Sequence, residues 1–300
     1  MSDKLLVTGA SGHLGQLVVA HLLDTLKVPA TRIIATTRHP EKLAALTARG
    51  VTVRKADFDD VASLTAAFAG AQRLLLISTD ALDRPGHRLA QHRNAITAAT
   101  QAGVKHVVCT SMPMPEDSPL LLAPDYVGTE QALATSPLSW TILRNCWYME
   151  NLFMSLPSAI ASGQWYSAAG EGKVAYISRD DCARVAAVAL ASSDTSKTTY
   201  TLTGSEAFSA AEVAKQVSAL LGKTIAVVPV PLEGLIQGMI AATGWPQALA
   251  EIFASFDTNT QAGRVAAVSG DFRKLTGVAP QKFADWLAAN KSALGTAQAH

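Results

Sequence analysis

Three glycines near the amino terminus have a spacing that suits a phosphate-binding turn. Gly9, Gly12 and Gly15 follow an apolar run at 5–7 and precede a helix-favouring stretch at 17–23. A strand that turns tightly into a helix presents the helix's first N–H groups, where the helix dipole is positive. Glycines permit the turn and remove Cβ atoms that would hold a pyrophosphate away. The predicted dinucleotide-binding residues are Gly9, Ser11, Gly12, His13, Leu14 and Gly15; the alternative is a tight turn without a ligand.

The second predicted strand ends in a basic residue rather than an acidic one. Sites that take NAD usually carry Asp or Glu here, which binds the ribose hydroxyls. This chain carries Arg38 at that place. A guanidinium can pair bidentately with a 2′-phosphate, which a carboxylate would repel. We therefore predict NADP(H) rather than NAD(H); the alternative is that Arg38 is a solvated surface arginine.

Polar residues also follow the next predicted strands. Asp57 is expected to face the adenine edge or to cap the helix that starts near Asp60. The hydroxyls of Ser78 and Thr79 are expected beside the pyrophosphate and the nicotinamide ribose, or they start a turn. The predicted cofactor-binding set is completed by Phe58 and Thr110.

Ser111 and Tyr126 form a candidate reaction centre. A serine after this strand, followed by Tyr-x-x-x-Lys, is the arrangement of the short-chain dehydrogenases. Their lysine lowers the tyrosine pKa, so that the phenol can exchange a proton with a carbonyl or an alcohol. Here Glu130 stands in the lysine position. A carboxylate disfavours the ionised phenol, which argues against an ordinary alcohol dehydrogenase.

The elements that must position these residues alternate regularly in the first half of the chain. Strands are predicted at 4–9, 32–37, 51–56, 73–78, 106–111 and 139–144, and helices at 13–26, 40–48, 60–69, 87–102 and 125–135. This alternation indicates βαβ units and a parallel sheet, whose ligands lie outside the carboxyl ends of the strands. We predict an α/β fold: a Rossmann-type doubly wound parallel sheet with a smaller C-terminal α/β substrate lobe.

The second half is less regular. Helices are predicted at 151–162, 180–191 and 209–221, and short strands at 164–168, 173–177, 199–203 and 224–229. We predict an NADP-binding Rossmann domain over 1–150 and a smaller substrate-binding lobe over 151–300, with an approximate boundary that the chain can cross back. The apolar helices within 231–255 either form a homo-oligomer face or cover the sheet.

Composition excludes several classes of function. Hydrophobic residues make up 49% of the 300 residues and charged residues 16%, which suits a parallel sheet covered on both faces. The net charge of +1 gives no electrostatic case for nucleic acid or an anionic membrane. No apolar run reaches the roughly 18 residues of a membrane span, and we expect no signal peptide before the first strand. We therefore expect a cytoplasmic protein.

Cysteine and histidine usage gives no metal or disulfide pattern. Cys109, Cys146 and Cys182 are odd in number and widely spaced. His87 and His92 lie five apart in one predicted helix, a poor metal spacing without a nearby acid or cysteine ligand. They are expected to be solvated or capping residues.

One family resemblance covers nearly the whole chain. The sequence resembles the NmrA-like group of atypical short-chain dehydrogenases and is most similar to its type 2 NADPH:quinone reductases and its triphenylmethane and azo dye reductases. The matching segments are 7–15, 38–42, 53–60, 74–78, 91–94 and, most narrowly, 143–151. The Thr129–Glu130 pair matches as well, whereas Tyr126 departs from the histidine common near this position in the quinone reductases.

The resemblance implies direct hydride transfer from NADPH, without a flavin, to a small aromatic acceptor. Quinones and cationic dyes are strong hydride acceptors, so positioning matters more than acid catalysis. The predicted catalytic residues are Tyr126, Asn145 and Ser111, and the predicted acceptor-binding residues are Met112, Tyr126, Trp147, Tyr148 and Asn151. Alternatively, the aromatics pack the seam between the two halves and Asn145 caps a helix.

Three functions remain open at this stage. The main expectation is a flavin-independent quinone reductase, and an azo or triphenylmethane dye reductase would use the same pocket. A non-catalytic NADP-binding redox sensor is the alternative of a different class. The retained Tyr126 and the cluster around Asn145 favour an enzyme, because a sensor does not need an acceptor pocket.

Overall fold

The computed structural model describes residues 3–296, and a seven-stranded parallel sheet organises them. The strands lie in the order β3-β2-β1-β4-β5-β6-β9. They are β1 (Lys4–Val7), β2 (Ile33–Thr37), β3 (Thr52–Lys55), β4 (Ala71–Leu76), β5 (His106–Ser111), β6 (Ser139–Asn145) and β9 (Thr198–Leu202). The order reverses direction at β1, so the predicted doubly wound sheet is confirmed.

Helices cover both faces of this sheet. They are α1 (His13–Ala20), α2 (Ala44–Ala48), α3 (Val61–Phe68), α4 (His87–Gln101), α5 (Ala123–Thr135) and α7 (Arg179–Ala191). Successive strand residues point to opposite faces, so Leu5 and Val7 join one core cluster and Leu6 joins the other. Each of these residues is at most 1% exposed. Burial on both faces explains why the strands read as continuous apolar runs.

The chain crosses back to the sheet after residue 150. Helix α7 and strand β9 follow the first segment of the smaller lobe, and β9 pairs with β6 from Thr141 with Thr198 to Asn145 with Leu202. Arg73 at the start of β4 donates to the carbonyls of Ala189 and Leu190 at the end of α7. A cation there offsets the negative end of the helix dipole. The seven-stranded sheet and its covering helices therefore contain residues from both predicted domains.

The smaller lobe is built from two two-stranded sheets and a set of helices. Its elements are α6 (Leu156–Ser162), β7 (Gln164–Ser167), β8 (Lys173–Val174), β10 (Phe208–Ser209), α8 (Ala210–Leu221), β11 (Ala226–Pro229), α9 (Leu232–Thr243), α10 (Gln247–Gln261), α12 (Phe283–Ala289) and α13 (Lys291–Thr296). Helix α11 (Asp271–Thr276) instead packs on the core of the large sheet through Phe272. Strand β7 pairs in parallel with β11, and β8 pairs antiparallel with β10. The α9–α10 hairpin has its own apolar contact around Leu235 and Ala250.

Three predicted helices are interrupted in the structure. The helix predicted at 13–26 ends at Ala20 and continues as a π-helical turn, His21–Thr25. The one predicted at 40–48 opens with a 3-10 turn, Pro40–Leu43. The one predicted at 151–162 is a 3-10 segment, Met149–Met154, followed by α6. Apolar periodicity locates a helical segment, but it does not report which hydrogen-bond register the segment adopts.

Candidate active site

A cavity of about 810 Å³ opens at the carboxyl edge of the sheet. Every predicted cofactor-binding residue lines it: Gly9, Ser11, Gly12, His13, Leu14, Gly15, Arg38, Asp57, Phe58, Ser78, Thr79 and Thr110. Ser111, Tyr126 and Tyr148 line it as well. A parallel sheet collects these separate segments because the carboxyl ends of its strands share one edge. The volume lies within the range of small-molecule and cofactor sites.

The glycine turn shapes the floor of the cavity. Gly9 adopts a φ of +57°, a conformation that side chains with a Cβ rarely take. A Cβ on Gly15 would lie 2.3 Å from the carbonyl oxygen of Gly9, so this glycine lets α1 pack closely on the turn. Gly12 is the N-cap of α1 and provides no side-chain cap. The first N–H groups of a helix have no intrahelical partner, so this end suits an anionic ligand.

Arg38 lies at the rim of the cavity. Its side chain is 64% exposed, and its Nη2 lies 4.0 Å from the Oδ1 of Asp80, a side chain that is 93% exposed. Beside it, the hydroxyls of Ser11 and Thr37 are 2.8 Å apart and connect the glycine turn to the end of β2. A guanidinium at this rim is free to pair with a phosphate, because its acidic neighbour is solvated and weakly held.

Asp57 does not cap α3. The Oδ1 of Asp60 accepts the N–H groups of Ala62 and Ser63, so Asp60 is the N-cap. The Oδ1 of Asp57 instead accepts the N–H of Asp59 at 3.0 Å, which forms a local turn. The capping alternative for Asp57 was therefore wrong, and its carboxylate remains in the cavity wall.

Ser78 is held by the neighbouring strand. Its hydroxyl donates to the carbonyl of Thr110 at 3.1 Å, and its N–H donates to the Thr110 hydroxyl at 2.9 Å. The hydroxyl of Thr79 is buried and has no partner within the described chain. Of the two hydroxyls, that of Thr79 is therefore the one with unused hydrogen-bonding capacity beside a ligand.

Glu130 forms an ion pair with Arg144, which the sequence pattern did not predict. Arg144 of β6 donates from Nε to Oε1 at 3.0 Å and from Nη2 to Oε2 at 2.6 Å. The Ser111 hydroxyl donates to the same carboxylate at 2.5 Å. The carboxylate is therefore neutralised by a bidentate partner, rather than standing as an uncompensated charge on the helix that carries Tyr126.

A second buried cation stacks on Tyr126. The guanidinium carbon of Arg88 lies 4.2 Å from the centre of the Tyr126 ring. Arg88 is the second residue of α4 and also lines the cavity. This contact is within the range of a cation–π interaction. Sequence reasoning missed Arg88, although the first turn of a helix in a βαβ unit lies at the carboxyl edge of the sheet.

His92 is a core residue, and the expectation of a solvated or capping histidine was wrong. It is 1% exposed, and burial, helped by the charge of Arg88, lowers its pKa to about 3. Its Nε2 accepts the N–H of Thr79 at 3.1 Å, so in the neutral ring Nδ1 carries the proton and donates to the Thr129 hydroxyl at 2.8 Å. Thr129 in turn donates to the carbonyl of Asp125. The ring thus joins the segment after β4 to α4 and α5.

Asn145 and Tyr148 form a pair at the end of β6. The Nδ2 of Asn145 donates to the Tyr148 hydroxyl at 3.0 Å, and its buried Oδ1 has no partner among residues 3–296. Tyr148 begins the 3-10 segment without a side-chain cap, so Asn145 is not a helix cap. Burial raises the pKa of Tyr148 and keeps the phenol protonated. Because the hydroxyl accepts from Asn145, its own proton is available to a ligand.

Three predicted acceptor-binding residues lie away from the cavity wall. Met112 is fully buried, and Asn151 belongs to the 3-10 segment beyond Tyr148. Trp147 packs on Phe256 of α10, with ring centres 4.8 Å apart. The seam-packing alternative therefore holds for Trp147. Of the two neighbours Trp147 and Tyr148, only Tyr148 lines the cavity. Trp147, Met112 and Tyr126 still share one apolar cluster with Phe256.

The residues present suit a dinucleotide with a 2′-phosphate. The glycine turn offers space and helix N–H groups, and Arg38 offers a cation at the rim. The unpartnered Oγ1 of Thr79 offers a hydrogen-bonding group in the lining, whereas Asn145 is not a lining residue and lies behind Tyr148. Sequence reasoning did not identify several further lining residues: Thr36, Thr37, Asp59, Ile77, His87 and Gln91.

The described part of the chain contains no group of three or more His, Cys, Asp or Glu side chains arranged to hold a metal ion. None of its helices has the length and apolarity needed to span a membrane.

Comparison with known proteins agrees with this geometry. Quinone oxidoreductase 2 of Escherichia coli is 38% identical over 271 residues, which cover 90% of this chain and 93% of that protein. The crystal structure of this NADPH-dependent enzyme with NADPH gives a TM-score of 0.89 at 37% identity, covering 95% of this chain and 98% of that one.

Two dye reductases are also similar. The NAD(P)H azoreductase of Xenophilus azovorans is 32% identical over 294 residues, covering 98% of this chain and all of that protein (100%). The Citrobacter sp. triphenylmethane reductase with NADP(H) gives a TM-score of 0.85 at 35% identity, covering 94% of this chain and 98% of that one. An NmrA-like family profile matches residues 1–287. Since this match spans nearly the whole sequence, the chain belongs to the NmrA-like family.

Proposed function

We propose that this protein is a flavin-independent, NADPH-dependent reductase that transfers a hydride directly to a quinone or a similar planar electrophilic acceptor. The observation that carries the proposal is the single cavity that holds the glycine turn, Arg38 and two tyrosines, Tyr126 and Tyr148. The first two features suit a phosphorylated dinucleotide, and the tyrosines offer flat faces and hydroxyl donors to an aromatic acceptor.

The cofactor half of the proposal assigns roles by position. The glycine turn and the N-terminus of α1 bind the pyrophosphate, and Arg38 binds the 2′-phosphate. Asp57 and Phe58 form the adenine side of the cavity. NADPH, when bound, supplies the hydride. Quinone oxidoreductase 2 and the triphenylmethane reductase, both solved with this type of cofactor, support the choice.

The acceptor half rests on the tyrosine end of the cavity. Asn145 holds the Tyr148 hydroxyl, which then donates to an acceptor oxygen. Ser111 lies at the same end, with its hydroxyl bound to Glu130. A two-electron transfer reduces a quinone fully in one step and avoids a semiquinone. The substrate is thus a small aromatic molecule, and the proposed setting is the cytoplasm.

Dye reduction is the second candidate activity, and the likeness to an azoreductase and to a triphenylmethane reductase favours it. The fold, cofactor and cavity are the same for both activities. A dye can therefore be an adventitious substrate of an enzyme whose natural acceptor is a quinone.

The test is consumption of NADPH, and separately of NADH, by the flavin-free protein. The acceptors are 1,4-benzoquinone, a naphthoquinone, methyl red and malachite green. We expect turnover of the quinones with NADPH, and weaker turnover with NADH. Tight NADP+ binding without turnover of any acceptor would overturn the proposal in favour of a redox sensor.

A further inference from the structure

Arg88 is a buried cation in the wall of the candidate active site to which the proposed function gives no role. The residue is 4% exposed, its Nε donates to the carbonyl of Thr79 at 2.8 Å, and its buried Nη1 has no partner. Within residues 3–296, no carboxylate oxygen lies within 4.0 Å of its nitrogens. A buried charge without a counter-ion destabilises a fold, so its presence in a cleft points to a function.

The best-placed recipient of this charge is Tyr126. The guanidinium carbon lies 4.2 Å from the ring centre, and the ring forms part of the same cavity wall. A cation against the face of a phenol attracts the ring and, more strongly, the negative charge that remains when the hydroxyl gives up its proton. The contact therefore favours Tyr126 as a hydrogen-bond and proton donor.

The residue four positions after Tyr126 does not supply such a charge. In Tyr-x-x-x-Lys proteins a lysine one helical turn later has this role, whereas here Glu130 holds that place and is bound to Arg144 and Ser111. Arg88 reaches the tyrosine from a different helix, α4. A cation thus lies against the phenol ring, although it comes from another element.

No other group around this pair forms an ion pair with Arg88 among the described residues. His92, one turn further along α4, is neutral because burial lowers its pKa to about 3. Burial raises the pKa of Asp125, which precedes Tyr126 on α5, and the charge of Arg88 acts against this rise without forming an ion pair. Tyr148 faces the pair from the end of β6 and stays protonated because burial raises its pKa as well.

We propose that Arg88 is a positioning residue that enables Tyr126 to donate a proton to an acceptor oxygen, and that this pair makes the site selective for quinones over cationic dyes. The inference rests on the proposed function. A quinone that takes up a hydride becomes an oxyanion. Tyr126 gives its proton to that oxygen, which completes the hydroquinone, and the resulting phenolate beside Arg88 regains a proton from water. A cationic triphenylmethane dye is neutralised by the hydride and needs no proton.

The first test is a double-mutant cycle with Arg88→Met, Tyr126→Phe and the pair. We expect kcat/KM for 1,4-benzoquinone to fall about 10- to 100-fold in each single variant, with little further loss in the double variant, since acid catalysis typically contributes 100-fold or more. The value for malachite green is expected to change by less than about 2-fold, because its reduction needs no proton. Arg88→Lys keeps the charge and is expected to restore part of the quinone activity.

The second test does not depend on turnover. The tyrosines are labelled at the ring ζ-carbon, and the Tyr126 NMR signal is assigned with Tyr126→Phe. We expect Arg88→Met to shift this signal, because the guanidinium no longer lies against the ring. The exposed Arg93 lies on the same helix, and the matched control Arg93→Met is expected to leave the signal and both activities unchanged.

Failure of this inference is distinct from failure of the proposed function. NADP+ affinity is measured by calorimetry for every variant. A wild-type protein that binds no NADP+ or reduces no acceptor contradicts the proposed function. An active wild type in which Arg88→Met slows quinone and dye equally, or leaves the Tyr126 ring signal in place, overturns the role of Arg88. Should Arg88→Met not fold, Arg88→Gln removes the same charge with a polar side chain, and Tyr126→Phe carries the comparison of quinone with dye.

Discussion

Glu130 illustrates how the partners of a side chain decide its effect. The carboxylate stands where a lysine would support a tyrosine, and its charge is compensated by Arg144. The side chains of Glu130 and Arg144 are only 12% and 20% exposed. Water screens such a pair poorly, so the loss of either partner leaves a costly charge behind.

Replacement of Glu130 should therefore affect both stability and activity. We expect Glu130→Gln to lower the free energy of unfolding by about 2–4 kcal/mol, below the range for a fully buried pair because both groups keep some solvent. Quinone turnover should fall too, since Ser111 loses its ionic acceptor. Urea unfolding and kcat/KM are the measurements. Glu116→Gln is the control, because Glu116 binds the same Arg144 nitrogen but is 56% exposed; it should cost less than about 1 kcal/mol. Equal losses in the two variants would contradict the argument.

Arg38 can be tested by cofactor preference alone. We expect Arg38→Ala to reduce the preference for NADPH over NADH by about 10- to 100-fold, the equivalent of about 1.4–2.8 kcal/mol of lost phosphate binding. The affinity for NADH should barely change, because NADH carries no 2′-phosphate. Arg49→Ala is the control, since that guanidinium pairs with Asp24 outside the cavity lining. An unchanged ratio of the two affinities in Arg38→Ala would refute the assignment.

At the scale of elements, the glycine turn works because a strand and a helix approach closely. Gly15→Ala would place a Cβ 2.3 Å from the carbonyl oxygen of Gly9, and backbone has to move to relieve that contact. We expect it to lower the free energy of unfolding by about 1–3 kcal/mol and to weaken NADP+ binding.

A glycine in an uncrowded helix provides the matched comparison for Gly15. Gly238 lies within α9, and an added Cβ there would meet nothing within 4 Å. Gly238→Ala should stabilise the protein by about 0.5–1 kcal/mol, because alanine favours the helix. Thermal unfolding and calorimetry measure both variants. Similar stability changes in the two would show that crowding at Gly15 is relieved at no cost.

The sequence predicts which residues lie at the strand ends, but it does not predict which side chains of distant elements form pairs. The glycine spacing and the Arg38 position predicted residues that do line one cavity, because βαβ topology brings successive strand ends to one edge. The contacts of Arg88 with Tyr126 and of Arg144 with Glu130 join elements that are distant in sequence. Such side-chain pairs depend on helix packing angles and rotamers, which local patterns do not encode. For the same reason, the sequence analysis did not predict the contact between Trp147 and Phe256.

At the scale of the whole molecule, α7 and β9 join the two halves. Strand β9, from the second half of the chain, pairs with β6, so a division at residue 150 would remove one strand from the large sheet. The α9–α10 hairpin packs around Leu235 and Ala250, and Phe256 of α10 contacts Trp147 near the site.

Buried histidines couple the stability of this assembly to pH. Burial lowers the pKa of His92 to about 3, and His106, in the first position of β5, has a pKa lowered to about 4 for the same main reason. Unfolded histidines have a pKa near 6.5. Below that value the unfolded chain binds more protons than the native one, so stability falls as the pH falls. Asp125, Asp181 and Asp257 oppose this trend, because burial raises the pKa of each carboxyl and protonation then favours the native state.

The histidine contribution can be isolated at a pH where the carboxyls matter least. Between pH 6.5 and about 5, each buried neutral histidine should remove up to about 1.4 kcal/mol of unfolding free energy per pH unit. His92→Gln keeps a polar side chain that can bind Thr79 and Thr129, but it cannot take up a proton. Urea unfolding at several pH values should therefore give a shallower pH dependence for His92→Gln than for the wild type, although the variant is less stable at pH 7. An identical pH dependence in the two proteins would mean that His92 becomes protonated without unfolding. Its hydrogen bonds to Thr79 and Thr129 would then not depend on a neutral ring.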